Sequence, residues 1–135
     1  MSGRAFKEAR VSSARSILIV EAPIVQKFLR AVLEQEGYEA VEAGPQSALA
    51  LMSAARPGVG LVITNAPGLF LAFAEWLPLL YLAACPDFDL AARFRTCRVL
   101  QKPFHPTDLL EAVRRLSAAW QPGNRAGAGA PSGSS

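Results

Sequence analysis

Short apolar runs alternate along the chain with stretches in which apolar residues recur at helical spacing. The runs of strand length lie at residues 17–20, 38–43, 59–64, 79–83 and 98–101. The stretches of helical spacing lie at about residues 24–34, 45–56, 69–77, 87–95 and 106–116. The runs at 17–20, 59–64 and 79–83 are apolar nearly throughout rather than alternating, which is typical of a sheet covered by helices on both faces.

Strict alternation of strand and helix predicts the fold class. Five βα units favour a parallel sheet with right-handed crossovers. We therefore predict an α/β, doubly wound five-stranded sheet of order 2-1-3-4-5, a flavodoxin-like (βα)5 arrangement. In the first helix the apolar positions are predicted to face the core, with Gln26, Lys27, Arg30 and Glu34 opposite. These apolar positions are Ile24, Val25, Phe28, Leu29, Val32 and Leu33.

The predicted third helix, residues 69–77, is unusually apolar because Glu75 is its only charged residue. Some of its large side chains should then be exposed, and exposed apolar patches often mark partner surfaces. We predict a self-association or docking face that includes Phe70, Phe73 and Trp76. The alternative is a thick core beneath an irregular loop.

The ends of the chain differ in composition from the middle. We predict that residues 1–15 form a flexible basic arm and that residues 16–120 form the folded domain. Residues 121–135, which are mainly Gly, Ala, Pro and Ser, are predicted to be a disordered tail. The apolar run at residues 69–85 carries Glu75 and is broken by Pro78, whereas a membrane span needs ~20 apolar residues. No membrane segment is therefore expected.

Composition excludes several classes of protein. The net charge of +3 is mild, and the basic cluster Arg93, Arg95 and Arg98 lacks interleaved aromatic residues, so nucleic-acid binding is not expected. Cys85 and Cys97 are too few for a disulfide framework and favour ordinary thiols in a reducing cytoplasm over a redox switch. His105, the single histidine, is predicted to begin the last helix rather than to serve in a catalytic triad.

Polar residues should gather beyond the carboxyl ends of the strands, where doubly wound sheets place their working site. Glu21 and Ala22 follow the first strand, Asn65 the third, Ala83 ends the fourth, and Lys102 follows the fifth. Neither a phosphate loop nor another nucleotide fingerprint is present.

At this point the chain resembles the CheY-like receiver domain of bacterial response regulators. The resemblance covers about residues 16–119 and depends on four segments. These are ILIVEAP at 17–23, LVITNAPG at 61–68, LPLLYLAA at 77–84 and VLQKPF at 99–104. The last segment is the most specific. The resemblance also implies a cis peptide bond between Lys102 and Pro103.

The resemblance implies a phosphorylation site, but most of its residues are replaced. In such a site, two acidic residues would hold a magnesium ion and an aspartate would accept the phosphoryl group. A Ser or Thr and an aromatic residue would move in response to phosphorylation, and a lysine would contact the phosphate. The corresponding positions in this chain are Glu21, Ala22, Asn65, Ala83, Val99 and Lys102. Only Glu21 and Lys102 therefore match.

An amide at the acceptor position changes the expected chemistry. Covalent phosphorylation needs a nucleophile, and the amide of Asn65 is a very weak one. One carboxylate is also a poor magnesium site. We therefore predict a degenerate pseudo-receiver that acts without phosphorylation, through protein–protein interaction or as a homodimer, in a bacterial two-component or phosphorelay context. We expect no enzymatic activity, metal or cofactor, a cytoplasmic location, and a histidine kinase, regulator or output protein as partner.

Other interpretations stay open. The chain could retain a phosphorelay role through another acceptor or through deamidation of Asn65, or it could be a small cofactor-binding protein of flavodoxin-like fold. Lys102 could bond Asn65, pair with Glu21 or end in solvent.

Overall fold

The computed structural model describes residues 15–54 and 58–118. Within them, five parallel strands form one sheet of order β2-β1-β3-β4-β5. This confirms the predicted doubly wound order. The predicted N-terminal arm, apart from Arg15, and the predicted C-terminal tail lie outside the described residues. The strands are β1 (Ser16–Val20), β2 (Ala40–Glu42), β3 (Val59–Thr64), β4 (Leu79–Ala83) and β5 (Cys97–Gln101).

The connections between strands contain α1 (Pro23–Gln35), α2 (Pro45–Met52), a 3-10 helix (Pro67–Phe73), α3 (Phe88–Ala91) and α4 (Pro106–Ser117). All of these except α3 begin with proline, whose fixed φ suits a first turn and whose missing N–H would have no partner there. Gly37 follows α1 with φ +92°, a left-handed conformation that glycine adopts at little cost. His105 is the N-cap of α4, as predicted, and its N–H donates to Asp108 Oδ2 at 3.2 Å.

The helices form two layers, one on each face of the sheet. On one face, α1 and α4 pack on β1, β3 and β4 through residues such as Leu29, Leu33 and Val113. On the other face, α2, the 3-10 helix and α3 pack through residues such as Met52, Phe70 and Ala91. The sheet is therefore buried in its centre, and the carboxyl ends of its strands lie together at one end.

The third helical segment differs from the prediction in type and in position. It consists of short 3-10 turns over Pro67–Phe73 with a kink at Phe70 (φ −111°, ψ 17°), not an α-helix over residues 69–77. A 3-10 helix has three residues per turn, so positions i and i+3 share one side. Pro67 and Phe70 accordingly both point to the core and are buried. The apolar run then continues into buried β4, and within the described ranges no helix is long and apolar enough to cross a bilayer.

Three other predicted elements are shorter in the structure. The helix predicted over residues 87–95 is only α3, with Asp87 as its cap accepting the N–H of Leu90 at 3.1 Å. The second strand is Ala40–Glu42 rather than residues 38–43. The helix that begins at Pro45 ends at Met52.

The orientation predicted for the first helix is wrong at three positions. Gln26 is buried, whereas Ile24 is 81% and Phe28 is 43% exposed. The Gln26 amide reaches inward and donates from Nε2 to the carbonyls of Ile19 and Ala43, both at 2.9 Å. These two bonds satisfy backbone groups at the ends of β1 and β2, so a polar residue is favoured inside.

Candidate functional site

Glu21 lies directly after β1, at the end of the sheet where the strand termini meet. Its side chain is fully buried, with 0% exposure. One carboxylate oxygen, Oε1, accepts the N–H of Ala22 at 3.1 Å. A buried carboxylate needs a compensating charge because it has lost its hydration.

Lys102 supplies that charge. Its Nζ lies 3.1 Å from Glu21 Oε2, and its own side chain is 31% exposed. Oε2 receives no well-directed hydrogen bond from the described residues, so the contact is primarily electrostatic. Lys102 is fixed by its backbone N–H, which donates to Ala83 O at 2.9 Å. The Lys102–Pro103 peptide bond is cis, as the resemblance implied.

Asn65 stands apart from this ion pair. It follows β3, is exposed, and its side chain forms no hydrogen bond with the residues of ranges 15–54 and 58–118. The turn beside it is held instead by Thr64, whose Oγ1 accepts the N–H of Ala66 at 2.9 Å. Of the three arrangements considered for Lys102, the structure contains the pair with Glu21.

The remaining predicted positions carry no reactive group. Ala22 is exposed, and Ala83 is half-buried at the end of β4. Val99 is half-buried on β5, where its register partner on β4 is Tyr81. The Tyr81 hydroxyl, which the sequence analysis did not single out, accepts the N–H of Asp87 at 3.1 Å. This aromatic group anchors the loop that leads to α3.

A divalent cation does not fit this arrangement of donors. Magnesium prefers several oxygen ligands. Glu21 lies beside Lys102, whereas Glu42 at the end of β2 lies 3.6 Å from Arg30 instead. The ammonium of Lys102 already lies beside the Glu21 oxygen Oε2. Across the described parts of the chain, no three His, Cys, Asp or Glu side chains cluster as metal ligands.

The predicted docking face is wrong at Phe70, which has 0% exposure and belongs to the core. Phe73 is half-buried, and Trp76 is 50% exposed. Their rings meet edge to face, with centroids 6.1 Å apart, an arrangement that stabilises aromatic pairs. Of the three predicted aromatic residues, Trp76 is therefore the most exposed.

A second apolar surface lies on the opposite layer and was not predicted. It is an open depression of about 500 Å³ beside the ion pair, here called the α1 surface. Its main exposed side chains are Ile24 and Phe28. The sequence signal was the number of apolar positions between residues 24 and 33, which exceeds what one buried helix face needs. The depression is lined by Ile24, Val25, Phe28, Ala84, Lys102, Pro103 and Phe104.

The two cysteines occupy different environments. Cys85 is exposed, and Cys97 is partly buried on β5. Burial raises the pKa of the Cys97 thiol to about 11, so this group is a neutral thiol near pH 7. Low-pKa thiolates are the reactive form of cysteine, and Cys97 is therefore a packing residue.

Comparison with solved structures identifies the fold. A chemotaxis response regulator of Vibrio cholerae is 21% identical, with a TM-score of 0.65, over 76% of this chain and 98% of that chain. A response regulator receiver protein from Sinorhizobium medicae is 20% identical, with a TM-score of 0.66, over 80% and 98% of the respective chains. The receiver domain of NtrX from Brucella abortus is 20% identical, with a TM-score of 0.61, over 75% and 97%.

No family model and no curated protein matches the sequence. The similarity to the solved structures nevertheless shows that the chain has the fold of CheY-like receiver domains.

Proposed function

We propose that this protein is a receiver-like signalling module that acts by protein–protein contact, without aspartyl phosphorylation, in a bacterial two-component or phosphorelay system. The observation that carries the proposal is the buried Glu21–Lys102 ion pair, 3.1 Å between charged atoms. The two groups that could serve a phosphoryl group bind each other instead. The proposal assigns no catalytic step, cofactor or nucleic acid, and it places the protein in the cytoplasm.

The chemistry of phosphoryl transfer supports the proposal. Transfer to a side chain needs a nucleophilic oxygen and a cation that neutralises the phosphoryl charge. Asn65 offers an amide, and the Glu21 carboxylate is occupied by an ammonium. A phosphoryl group at this end of the sheet would also meet no hydroxyl at Ala83. Each of these differences removes a different part of the reaction.

The contact surface that we assign is the α1 surface. Its exposed centre consists of Ile24 and Phe28, and removal of such side chains from water is a general source of affinity. Lys27 is exposed on the same helix, and Lys102 lies on the lining. A signalling protein with an apolar centre and acidic margin would complement it. If the partner is instead a second copy of this chain, the two α1 surfaces would pack against each other in a homodimer.

Beryllofluoride with magnesium tests the proposal, because it stands in for a phosphoryl group at receiver sites. A ligand that binds the native state and not the unfolded state raises the unfolding temperature, and the rise grows with the ratio of ligand concentration to Kd. We expect the midpoint of the full chain to stay unchanged when both reagents are added, relative to magnesium alone. A rise that requires both reagents would contradict the proposal. Mass spectrometry of the native protein, with no bound molecule expected, separates it from the cofactor-binding alternative.

A further inference from the structure

The two edges of the sheet differ in length and protection. β2 at one edge has three residues, and Glu42 at its end lies 3.6 Å from Arg30 of α1. β5 at the other edge has five residues and pairs along its length with β4. Short, charged strands are a common protection of sheet edges, whereas a long free edge can pair with another strand.

The outward backbone groups of β5 follow from its pairing with β4. Thr96 O accepts the N–H of Leu79 at 3.0 Å, and the N–H of Lys102 donates to Ala83 O at 2.9 Å. Residues of a strand direct their backbone groups alternately to either side, so even-numbered residues of β5 face β4. Cys97, Val99 and Gln101 therefore present their N–H and C=O groups at the free edge. This spacing of two residues is what an added strand requires.

The helical layer covers β5 incompletely. None of the five residues of β5 is buried, whereas all six residues of β3 are. The neighbouring helix α3 is a single turn of four residues, and Phe88 at its start is 63% exposed. Among the described residues, α3 is the helix that neighbours β5 on this face of the sheet. Because α3 is so short, we expect the free edge of β5 to be accessible.

The charge beside this edge is positive. Arg98 on β5 and Arg93 and Arg95 just before it are exposed. No carboxylate of the described ranges lies within 4.0 Å of their guanidinium groups, whereas Arg115 is paired with Glu111 at 3.0 Å. Like charges on adjacent strands are destabilising. A second copy of β5 would therefore be disfavoured, and a strand of opposite charge favoured.

We propose that the free edge of β5 binds an extended, acidic segment of a partner protein, which adds to the sheet as a sixth strand. The backbone of this partner segment forms hydrogen bonds with the backbone of Cys97, Val99 and Gln101. Its carboxylates form ion pairs with Arg93, Arg95 and Arg98. Main-chain bonds supply affinity in this mode, and the charges select the partner. The backbone groups used at the edge face away from β4, whereas the N–H of Lys102 faces β4 and donates to Ala83 O, so this site and the phosphorylation-independent function can each fail alone.

Peptide binding to the full chain tests the edge. The probe is a fluorescein-labelled peptide in which Glu or Asp alternates with Val over seven residues, and its control carries Gln or Asn at the acidic positions. We expect the acidic peptide to bind about tenfold or more tightly than the neutral one. Raising the salt concentration should weaken this difference, because exposed charges are screened.

Charge and backbone variants then locate the peptide. Arg95→Glu with Arg98→Glu should remove the preference for the acidic peptide, whereas Arg114→Glu, at an exposed position of α4, should leave it unchanged. Val99→Pro removes one outward N–H and should weaken binding about three- to tenfold or more. Val99→Thr keeps the N–H and the side-chain volume, so it should bind like the native chain.

Hydrogen exchange supplies a readout that does not depend on the proline variant. In the native chain, the peptide should slow exchange at the amides of Cys97, Val99 and Gln101 relative to those of α1. Equal binding of acidic and neutral peptides would overturn the proposal, as would unchanged exchange at these three amides. Self-association of the native chain that Val99→Pro abolishes would also overturn it, because the occupant would then be a second copy.

Discussion

The segment that follows β1 and the segment that follows β3 bury opposite kinds of side chain. After β1, Glu21 and Gln26 are inside, while Ile24 is 81% exposed. After β3, Phe70 is inside with 0% exposure, and Asn65 and Glu75 are outside. The second arrangement is the usual one for a globular domain, and the first is inverted.

The difference supports the proposed loss of phosphoryl chemistry at the strand ends. The polar groups after β1 contact distant parts of the chain: the charge of Lys102 lies 3.1 Å from Glu21, and the carbonyl of Ala43 accepts a hydrogen bond from Gln26. Groups that are bonded internally are not offered to a ligand. Meanwhile the apolar side chains of the same segment are exposed and available for contact. The comparison therefore favours a role in binding over a role in phosphoryl chemistry.

The largest expected effect tests the segment after β3. Phe70→Ala removes a fully buried ring and should lower the free energy of unfolding by about 3–5 kcal/mol. Trp76→Ala, at a half-exposed position of the same segment, should lower it by about 1 kcal/mol or less. Chemical denaturation of both variants measures the difference. Similar losses would mean that Phe70 is not part of the core.

The next effect tests the ion pair after β1. Lys102→Met leaves the Glu21 carboxylate buried without its partner and should cost about 3 kcal/mol, the lower end for buried pairs because Lys102 is partly exposed. Lys27→Met removes an exposed lysine and should change stability by about 0.5 kcal/mol or less.

A double-mutant cycle with Glu21→Gln isolates the pair itself. If the two charges interact, the double variant should lose less stability than the sum of the single losses. Strict additivity would contradict an interaction between Glu21 and Lys102.

A smaller effect tests the buried amide. Gln26→Met keeps the volume but removes the donor to two carbonyls, so unfolding free energy should fall by about 1–3 kcal/mol. Gln35→Met, at an exposed position of the same helix, is the matched control and should be nearly neutral. A stabilised Gln26→Met variant would show that an apolar side chain is preferred there.

The smallest effect on stability concerns the exposed side of α1. Ile24→Ser with Phe28→Ser should change the free energy of unfolding by about 1 kcal/mol or less in total. The same pair should reduce capture of a partner from the native cytoplasm, or self-association in sedimentation, more than Phe73→Ser with Trp76→Ser does. If Phe73→Ser with Trp76→Ser had the larger effect, the contact surface would be the predicted face that includes Phe73 and Trp76.

The sequence predicts the sheet well because strand order depends on features that are local in the chain. Buried strands such as Val59–Thr64 are continuous apolar runs, and prolines such as Pro23 and Pro106 mark helix starts. The strand ends then place Glu21 and Lys102 at one end of the sheet, where the structure has them. Whether they pair, however, depends on packing between distant segments.

Side-chain orientation was harder to predict for the same reason. Periodicity counts Ile24 and Phe28 as inward and Gln26 as outward, because it cannot register the carbonyls that Gln26 bonds. It also assumes 3.6 residues per turn, whereas the segment after β3 winds more tightly and turns Phe70 inward. The early end of α3 at Ala91 was likewise not predicted, because the sequence marks the start of this helix more clearly than its end. The exposure of the β5 edge depends on that early end.

Incubation of the full chain with acetyl phosphate and magnesium, followed by intact-mass measurement, tests the central claim most directly. If Asn65 and the Glu21–Lys102 pair exclude phosphoryl transfer, the mass stays that of the unmodified chain at every time point. An acid-labile phosphoryl adduct on the native protein would contradict the account. Mapping that adduct would identify the acceptor that replaces the missing aspartate.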